Sequence, residues 1–503
     1  MSDDHECARA ETASSIAKSP LAESNQPMYQ AFAKGQNMLA QAVRNHYRCP
    51  DGFLDFRLNE ELSPEPGYFQ FGPGTTCFGH ALKGAPHAQV KCSLSDVLPN
   101  VLIDGRQLVL PFDPDEVIDN LRLERYNSVQ LRRHEYAFKR IYYWLRPFTN
   151  RSLRSYIQKR WAKNGQKRQF PHWPVDTTVE SICEKLLLLS LQVGGTGRIP
   201  FIWFWPDGAR GCVSMTHDVE TVAGRDFCTQ LMDIDDSYGI KASFQIVPEE
   251  RYPVTPEFLG QLRNRGFEVC VQDLNHDGRL FDERKEFLRR VALINRYGRE
   301  YGAKGYRSAV LYRNAKWYGD LDFSFDMSFG NVVPLDPQRG GCCTVMPYFI
   351  GDILEVPVTT IQDYTLFHVL NDHSVDLWKK QIEMILAKNG LVSFIVHPDY
   401  ITEDKPQAVY RELLAMLAEL RKREALWFAL PGEIDGWWRA RSRMSIVTDN
   451  NSCRIVGEGA ERAVLAFAKM VDGQLIYEWA DAPQIGNPNS PSVLREEPIA
   501  ACD

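Results

Sequence analysis

Five places in this 503-residue chain end an apolar run on residues that could carry hydrolytic chemistry. They are Thr216-His217-Asp218 with Glu220 close behind, Gln272-Asp273 with His276, Arg307, Asp326, and His397-Pro398-Asp399. Carboxylates and imidazoles together can hold a divalent cation that activates water. A carboxylate can then take the water's proton, and an imidazole can protonate a leaving amine. A guanidinium beside the base keeps that carboxylate ionised. Asp218, His276, His397 and Arg307 cover most of these roles, so metal-assisted hydrolysis is the expected chemistry.

Residues so distant in sequence meet only if the fold gathers the ends of several strands. From about Pro200 onward, strand-like runs (GCVSMT, KASFQIV, FEVCV, ILEVPV, LVSFIV, LWFAL) alternate with amphipathic helical ones. Thr255 is a good N-cap with Pro256 at the first helical position, and Gly266 closes that helix. Strand–helix units repeated over roughly 230 residues predict an α/β fold with a parallel sheet, closed as a barrel. In such barrels the chemistry sits at the C-terminal ends of the strands, which is where the five polar groups fall.

The rest of the chain reads differently. Residues 1–27 are polar and aperiodic, a disordered tail. Residues 28–130 carry short strand-like runs between Gly and Pro clusters, an accessory mixed α/β region. Residues 131–199 form a basic and aromatic helical linker; its 132–168 stretch holds twelve Lys and Arg interleaved with Tyr and Trp. A solvated cap on the next domain is the first expectation for it, and peripheral contact with an anionic membrane face the alternative. The barrel is expected over 200–440, followed by a small β element and tail over 441–503.

Composition narrows the classes. Lys and Arg number 58 against 65 Asp and Glu, a net charge of −7, so no nucleic-acid partner is expected. No run reaches the ~20 apolar residues of a membrane span, and the acidic start MSDDHECARAET has no signal-peptide pattern. Twelve cysteines without a CxxC pair, several inside apolar runs, fit buried reduced thiols. The adjacent Cys342-Cys343 pair is expected to pack rather than react. A cytoplasmic location follows, with the inner membrane face as its peripheral variant.

MTHDVE, KASFQIVPEERYP, RGFEVCVQDLNHDGRLF, GYRSAVLYRN and LVSFIVHPDY, in that order between about Pro200 and Pro431, resemble the motifs of the polysaccharide deacetylases, the NodB-homology carbohydrate esterases of family 4. The resemblance implies a distorted (β/α) barrel. It also implies hydrolysis of N-acetyl groups on an amino-sugar polysaccharide or its precursor, with zinc, or cobalt or nickel, as cofactor. By position, Asp218 matches the catalytic base, His276 the second histidine of the metal motif, and Arg307 the arginine that orients the base. His397 matches the acid that protonates the leaving amine, and Asp326 an aspartate that orients this acid. Two positions depart from the pattern. Val219 replaces the usual metal-binding carboxylate, with Glu220 one residue on, and Gln272 replaces the first metal histidine. The metal is therefore expected between Glu220 (or Asp218) and His276, with Gln272 or Asp273 as further donors. Tyr312 is expected to line an altered substrate groove, and His217, His368 and His373 to be structural. The departures also support an alternative: a NodB-like domain without metal that binds a glycan, or a partner in a polysaccharide-biosynthesis complex.

Overall fold

The computed structural model describes residues 39–90, 93–129, 170–195, 197–335, 338–449 and 452–480. The tail over 1–27 and the basic 132–168 stretch lie outside the described residues.

The first described region carries β1 (Phe56–Leu58), β2 (Gly67–Gln70), β3 (Thr76–Gly79), β4 (Leu102–Asp104) and β5 (Gln107–Leu110). They form a β1-β5-β4 sheet and a β2-β3 hairpin. The helix Pro114–Arg122 starts as its sequence dictates: the Asp113 carboxylate accepts from the amides of Asp115 and Glu116, with proline at the first position. After the helix Thr178–Val193 comes β6 (Ile199–Ile202).

The barrel is built from β7 (Gly211–Val219), β8 (Ala242–Ile246), β9 (Glu268–Gln272), β10 (Gly305–Arg307), β11 (Phe325–Asp326), β12 (Tyr348–Ile350), β13 (Ile353–Glu355), β14 (Leu391–Val396) and β15 (Leu426–Phe428). Their order is β12-β13-β11-β10-β9-β8-β7-β14, with β15 also on β7, and every pairing except β12–β13 is parallel. Helices Val222–Ser237, Pro256–Asn264, Arg284–Glu300, Asp376–Leu386 and Asp404–Arg423 alternate with these strands. Thr221 and Thr255 cap the first two, each hydroxyl accepting an amide three residues on. This is the parallel barrel that the periodicity predicts, in the distorted (β/α) form that the resemblance implies. All nine residues of β7 are buried, as expected of a parallel strand covered on both faces.

The ring is irregular at one seam. Among the described residues β13 and β14 share no ladder. Instead the Thr359 hydroxyl donates to the Leu391 carbonyl (2.6 Å) and accepts from the Ser393 amide (2.9 Å), while the Thr360 hydroxyl donates to the Ser393 carbonyl (2.8 Å).

After the helix Pro431–Arg443 come two hairpins, β16 (Ser445–Asp449) with β17 (Ser452–Val456), and β18 (Leu465–Val471) with β19 (Gln474–Trp479). β18 also pairs antiparallel with β6, so the terminal β element attaches to the strand that precedes the barrel. One apolar cluster runs without a break from Phe71 and Val179 to Cys212, Cys270 and Phe325. Cys342 and Cys343 are buried, and burial pushes the Cys342 thiol up to about 12, consistent with packing. Among the described residues no helix is long and apolar enough to cross a membrane.

Candidate active site

Strand register decides which polar residues face the barrel interior. Asp218 lies opposite Gln245, Gln245 opposite Cys270, and Gln272 opposite Arg307. Register partners share a face and successive residues alternate, so Asp218, Gln272 and Arg307 project together. Val396 pairs with His217, which puts the next residue, His397, on the interior side as well.

Asp218 is held at both oxygens. One Arg307 amino group donates to its Oδ1 and to the Thr216 hydroxyl, while the Arg307 Nε donates to the Met327 carbonyl. The Gln272 amide nitrogen donates to Asp218 Oδ2 (3.0 Å) and to Glu220 Oε1 (3.1 Å). Arg307 is fully buried, so its charge acts on Asp218 with little screening by water.

Glu220, just past the end of β7, sits between two imidazoles. His276 Nε2 is 2.7 Å from its Oε1, and His397 Nε2 is 3.4 Å away. The 2.7 Å contact is a close ion pair without hydrogen-bond alignment, and the buried ring nitrogen of His276 has no aligned partner. Burial opposes ionisation of Glu220, yet the two imidazoles outweigh it and hold the carboxyl well below its ordinary value. Burial likewise opposes the proton on His276, and Glu220 outweighs it, raising the imidazole pKa. His276 has a left-handed backbone (φ 56) in the Asn-His-Asp-Gly turn. Arg251 donates to the carbonyls of Asn275 (3.0 Å) and His276 (2.6 Å). Arg290 grips Asp277 through two bonds of 2.7 and 2.9 Å, so both arginines pin this turn.

His397 is oriented from behind. Its Nδ1 is 2.7 Å from Asp363 Oδ1, and its backbone amide donates to Asp363 Oδ2 at 2.7 Å. That leaves Nε2 facing Glu220 and the mouth. Burial disfavours the imidazolium, but Asp363 and then Glu220 outweigh it, so the His397 pKa stands well above the ordinary histidine value. The Tyr400 ring lies 4.7 Å from that of His397, and the exposed His368 lies 4.9 Å from Tyr400.

No family model and no curated protein sequence matches the chain. Solved structures are similar to part of it. A Mycobacterium smegmatis protein described as a polysaccharide deacetylase is 18% identical, with a TM-score of 0.40, covering 50% of this chain and 97% of its own. The Puue allantoinase is 12% identical, with a TM-score of 0.38 over 47% of this chain and 92% of its own. The peptidoglycan deacetylase PdaC from Bacillus subtilis is 12% identical, with a TM-score of 0.31 over 47% and 95%.

The residues suit a divalent cation. Ligand atoms of Asp218, Glu220 and His397 lie within 4.8 Å of one another, and His276 brings a second ring nitrogen to Glu220. Carboxylate and imidazole are the ordinary donors for zinc, cobalt and nickel. Gln272 departs from the expectation that it helps ligate. It presents its NH2, which cannot bind a cation, to both carboxylates, and its buried Oε1 has no partner.

Two further expectations are corrected. Asp273 follows β9 with a left-handed backbone (φ 51); its Oδ1 accepts from the Leu274 amide, and its charge acts on His276 and on Tyr306. Among the described residues it does not join the ligand atoms of Asp218, Glu220 and His397, although it helps to raise the His276 pKa. Asp326 is in register with Tyr306 and so lies on the face opposite Arg307. It accepts from the Tyr318 hydroxyl (2.8 Å) and the Ser328 hydroxyl (2.7 Å). The carboxylate that orients His397 is Asp363. No sequence signal marked it: it lies in IQDYT, at the start of a helical turn that runs on into the π-helix Thr365–Leu370. Tyr312 is half-buried, and its ring packs against Gly278 in the His276 turn. His368, expected to be structural, is exposed beside Tyr400.

Proposed function

We propose that this chain hydrolyses an amide, specifically an N-acetyl group on an amino-sugar glycan or its precursor. One observation carries the reading. Asp218, gripped by Arg307, and His397, gripped by Asp363, face one barrel mouth with ligand atoms within 4.8 Å of Glu220 between them. That is a base and an acid, each fixed from behind by a group of opposite charge. Asp218 accepts the proton of the attacking water. Arg307 and Gln272 hold its carboxylate in place, one at each oxygen. His397 Nε2 gives a proton to the departing nitrogen as the C–N bond breaks, and acetate and free amine leave. Glu220 and His276 are the residues that would hold a divalent cation, zinc first among those considered. Such an ion, when bound, lowers the pKa of its water and polarises the carbonyl.

Acetate release from N-acetylated oligosaccharides, with zinc or cobalt added, tests the reading. Asp218→Asn is expected to reduce release by at least ~10²-fold. Absence of release by wild type, with Asp218→Asn indistinguishable from it, overturns the proposal.

A second reading is favoured by the Gln272 amide, which occupies both carboxylates as a donor: a metal-free domain that binds its glycan without turnover. Metal analysis separates the two. About one equivalent per chain supports the hydrolase, and none above background supports the binding domain. Gln272→His is then expected to tighten zinc binding at least ~10-fold by calorimetry.

A further inference from the structure

The loop after β10 is strained. Val310 and Leu311 both have left-handed backbones (φ 57 and 52), a region that suits glycine or asparagine and fits a β-branched valine worst. Such conformations persist only where the surroundings over-determine them, and they cluster at functional sites.

The restraint comes from the region that precedes the barrel. Arg313 Nη1 donates to the Leu311 carbonyl at 2.7 Å. The same guanidinium makes two bonds to Glu124, just beyond the helix Pro114–Arg122, and both side chains are almost fully buried. Gln338 bonds the Arg313 amide and carbonyl, each at 3.1 Å. The segment past Gln338 is gripped in turn. Tyr126 donates to the Gly341 carbonyl (2.6 Å) and Asn127 to the Arg339 carbonyl (3.0 Å).

The held loop touches both halves of the site. Leu311 turns inward and packs with Val358 and with Ile395, two residues before His397. Tyr312 and Val310 lie 3.4 and 3.7 Å from the position a Cβ would take on Gly278, two residues past His276. A continuous chain of contacts thus runs from Glu124 through Arg313 and the 309–312 loop to the turn that carries His276.

We propose that Glu124 is a positioning residue of the site. Through Arg313 it holds Val310 and Leu311 in the left-handed conformation that seats the His276 turn and the wall beneath His397. The roles of those two histidines rest on the function proposed above; the mechanical coupling does not.

Amide hydrogen exchange on the full chain tests it. In Glu124→Gln, exchange over 274–279 and 309–313 is expected to speed up at least about tenfold, while β7 and β14 keep their wild-type protection. Adding Val310→Asn, which accepts the left-handed conformation, is expected to restore protection in both segments. Arg313→Lys, which keeps the charge and loses the paired bonds, serves if Glu124→Gln does not fold, with the same two segments loosening. Zinc alone, titrated by calorimetry, is expected to bind Glu124→Gln at least about tenfold more weakly. Loosening confined to 114–129, or loosening of 309–313 without 274–279, overturns the proposal, as does failure of Val310→Asn to restore protection. A wild type that releases no acetate refutes the proposed reaction and leaves the exchange result standing.

Discussion

The two faces of the barrel sheet carry polar residues at adjacent positions: His217 beside Asp218, Tyr306 beside Arg307. On the inner face charges are paired and reach the mouth, where Glu220 and His276 are partly accessible. On the outer face the groups are sealed beneath helices. His217 has one ring nitrogen 2.9 Å from Asp235 and the other 3.1 Å from the Val396 carbonyl, and Tyr410 donates to Asp235 at 2.6 Å. Further round, Glu355 adjoins Asp326; burial first, then the Asp326 charge, pushes its pKa well above the ordinary glutamate value. Histidines and carboxylates thus serve chemistry on one face and packing on the other, and the parity of the pleat assigns the role.

The contrast can be broken in three ways. The largest effect is expected on the sealed face. Asp235→Asn removes the charge opposite His217 and should lower unfolding free energy by about 3–5 kcal/mol in urea titrations, the usual loss when one member of a buried pair goes. A change below ~1 kcal/mol would show that this face is not a buried charge network. Next, Asp363→Asn should reduce acetate release by at least ~10²-fold, because His397 loses the group that fixes its protonated ring, whereas Asp326→Asn should alter kcat less than about threefold. Equal losses from the two would contradict the parity argument. The smallest effect concerns pH. Because the folded pKa of Glu355 lies above the unfolded one, its stabilisation is complete below the unfolded carboxyl value and is lost as pH rises through the folded pKa. Glu355→Gln keeps an uncharged group there. Its stability should fall less steeply than wild type as pH rises above the ordinary glutamate range, with a difference within about 1 kcal/mol at the acid end. Parallel curves would mean that Glu355 does not hold its proton in the folded state.

Much of this was legible in the sequence. The strand–helix alternation gave the barrel, and Asp218, Glu220, His276, Arg307 and His397 all converge because each closes an apolar run or sits in the turn just beyond it. Asp326 ends a strand, but its inward or outward parity depends on register with the neighbouring strand, which a single sequence does not print; Asp273 follows a strand on a left-handed backbone that no periodicity marks. Asp363 was invisible because it heads a short π-helical turn that too few residues build to show a period. The Glu124–Arg313 pair, 189 residues apart, depends on tertiary packing that composition and spacing do not encode.

The seam between β13 and β14 has a consequence for how this barrel can fail. The strand that leads to His397 is paired with β7 on one flank, and on the other two threonine hydroxyls supply three bonds beside two backbone bonds, from the Thr360 amide to Ser393 and from the Leu391 amide to Val345. Exchanging Thr359 and Thr360 for valine would preserve their shape and silence the hydroxyl bonds. Peptide groups left unpaired along an apolar strand are a template for a strand from another molecule. The damage would then be read as self-association of folded chains, by light scattering, before any loss of helix.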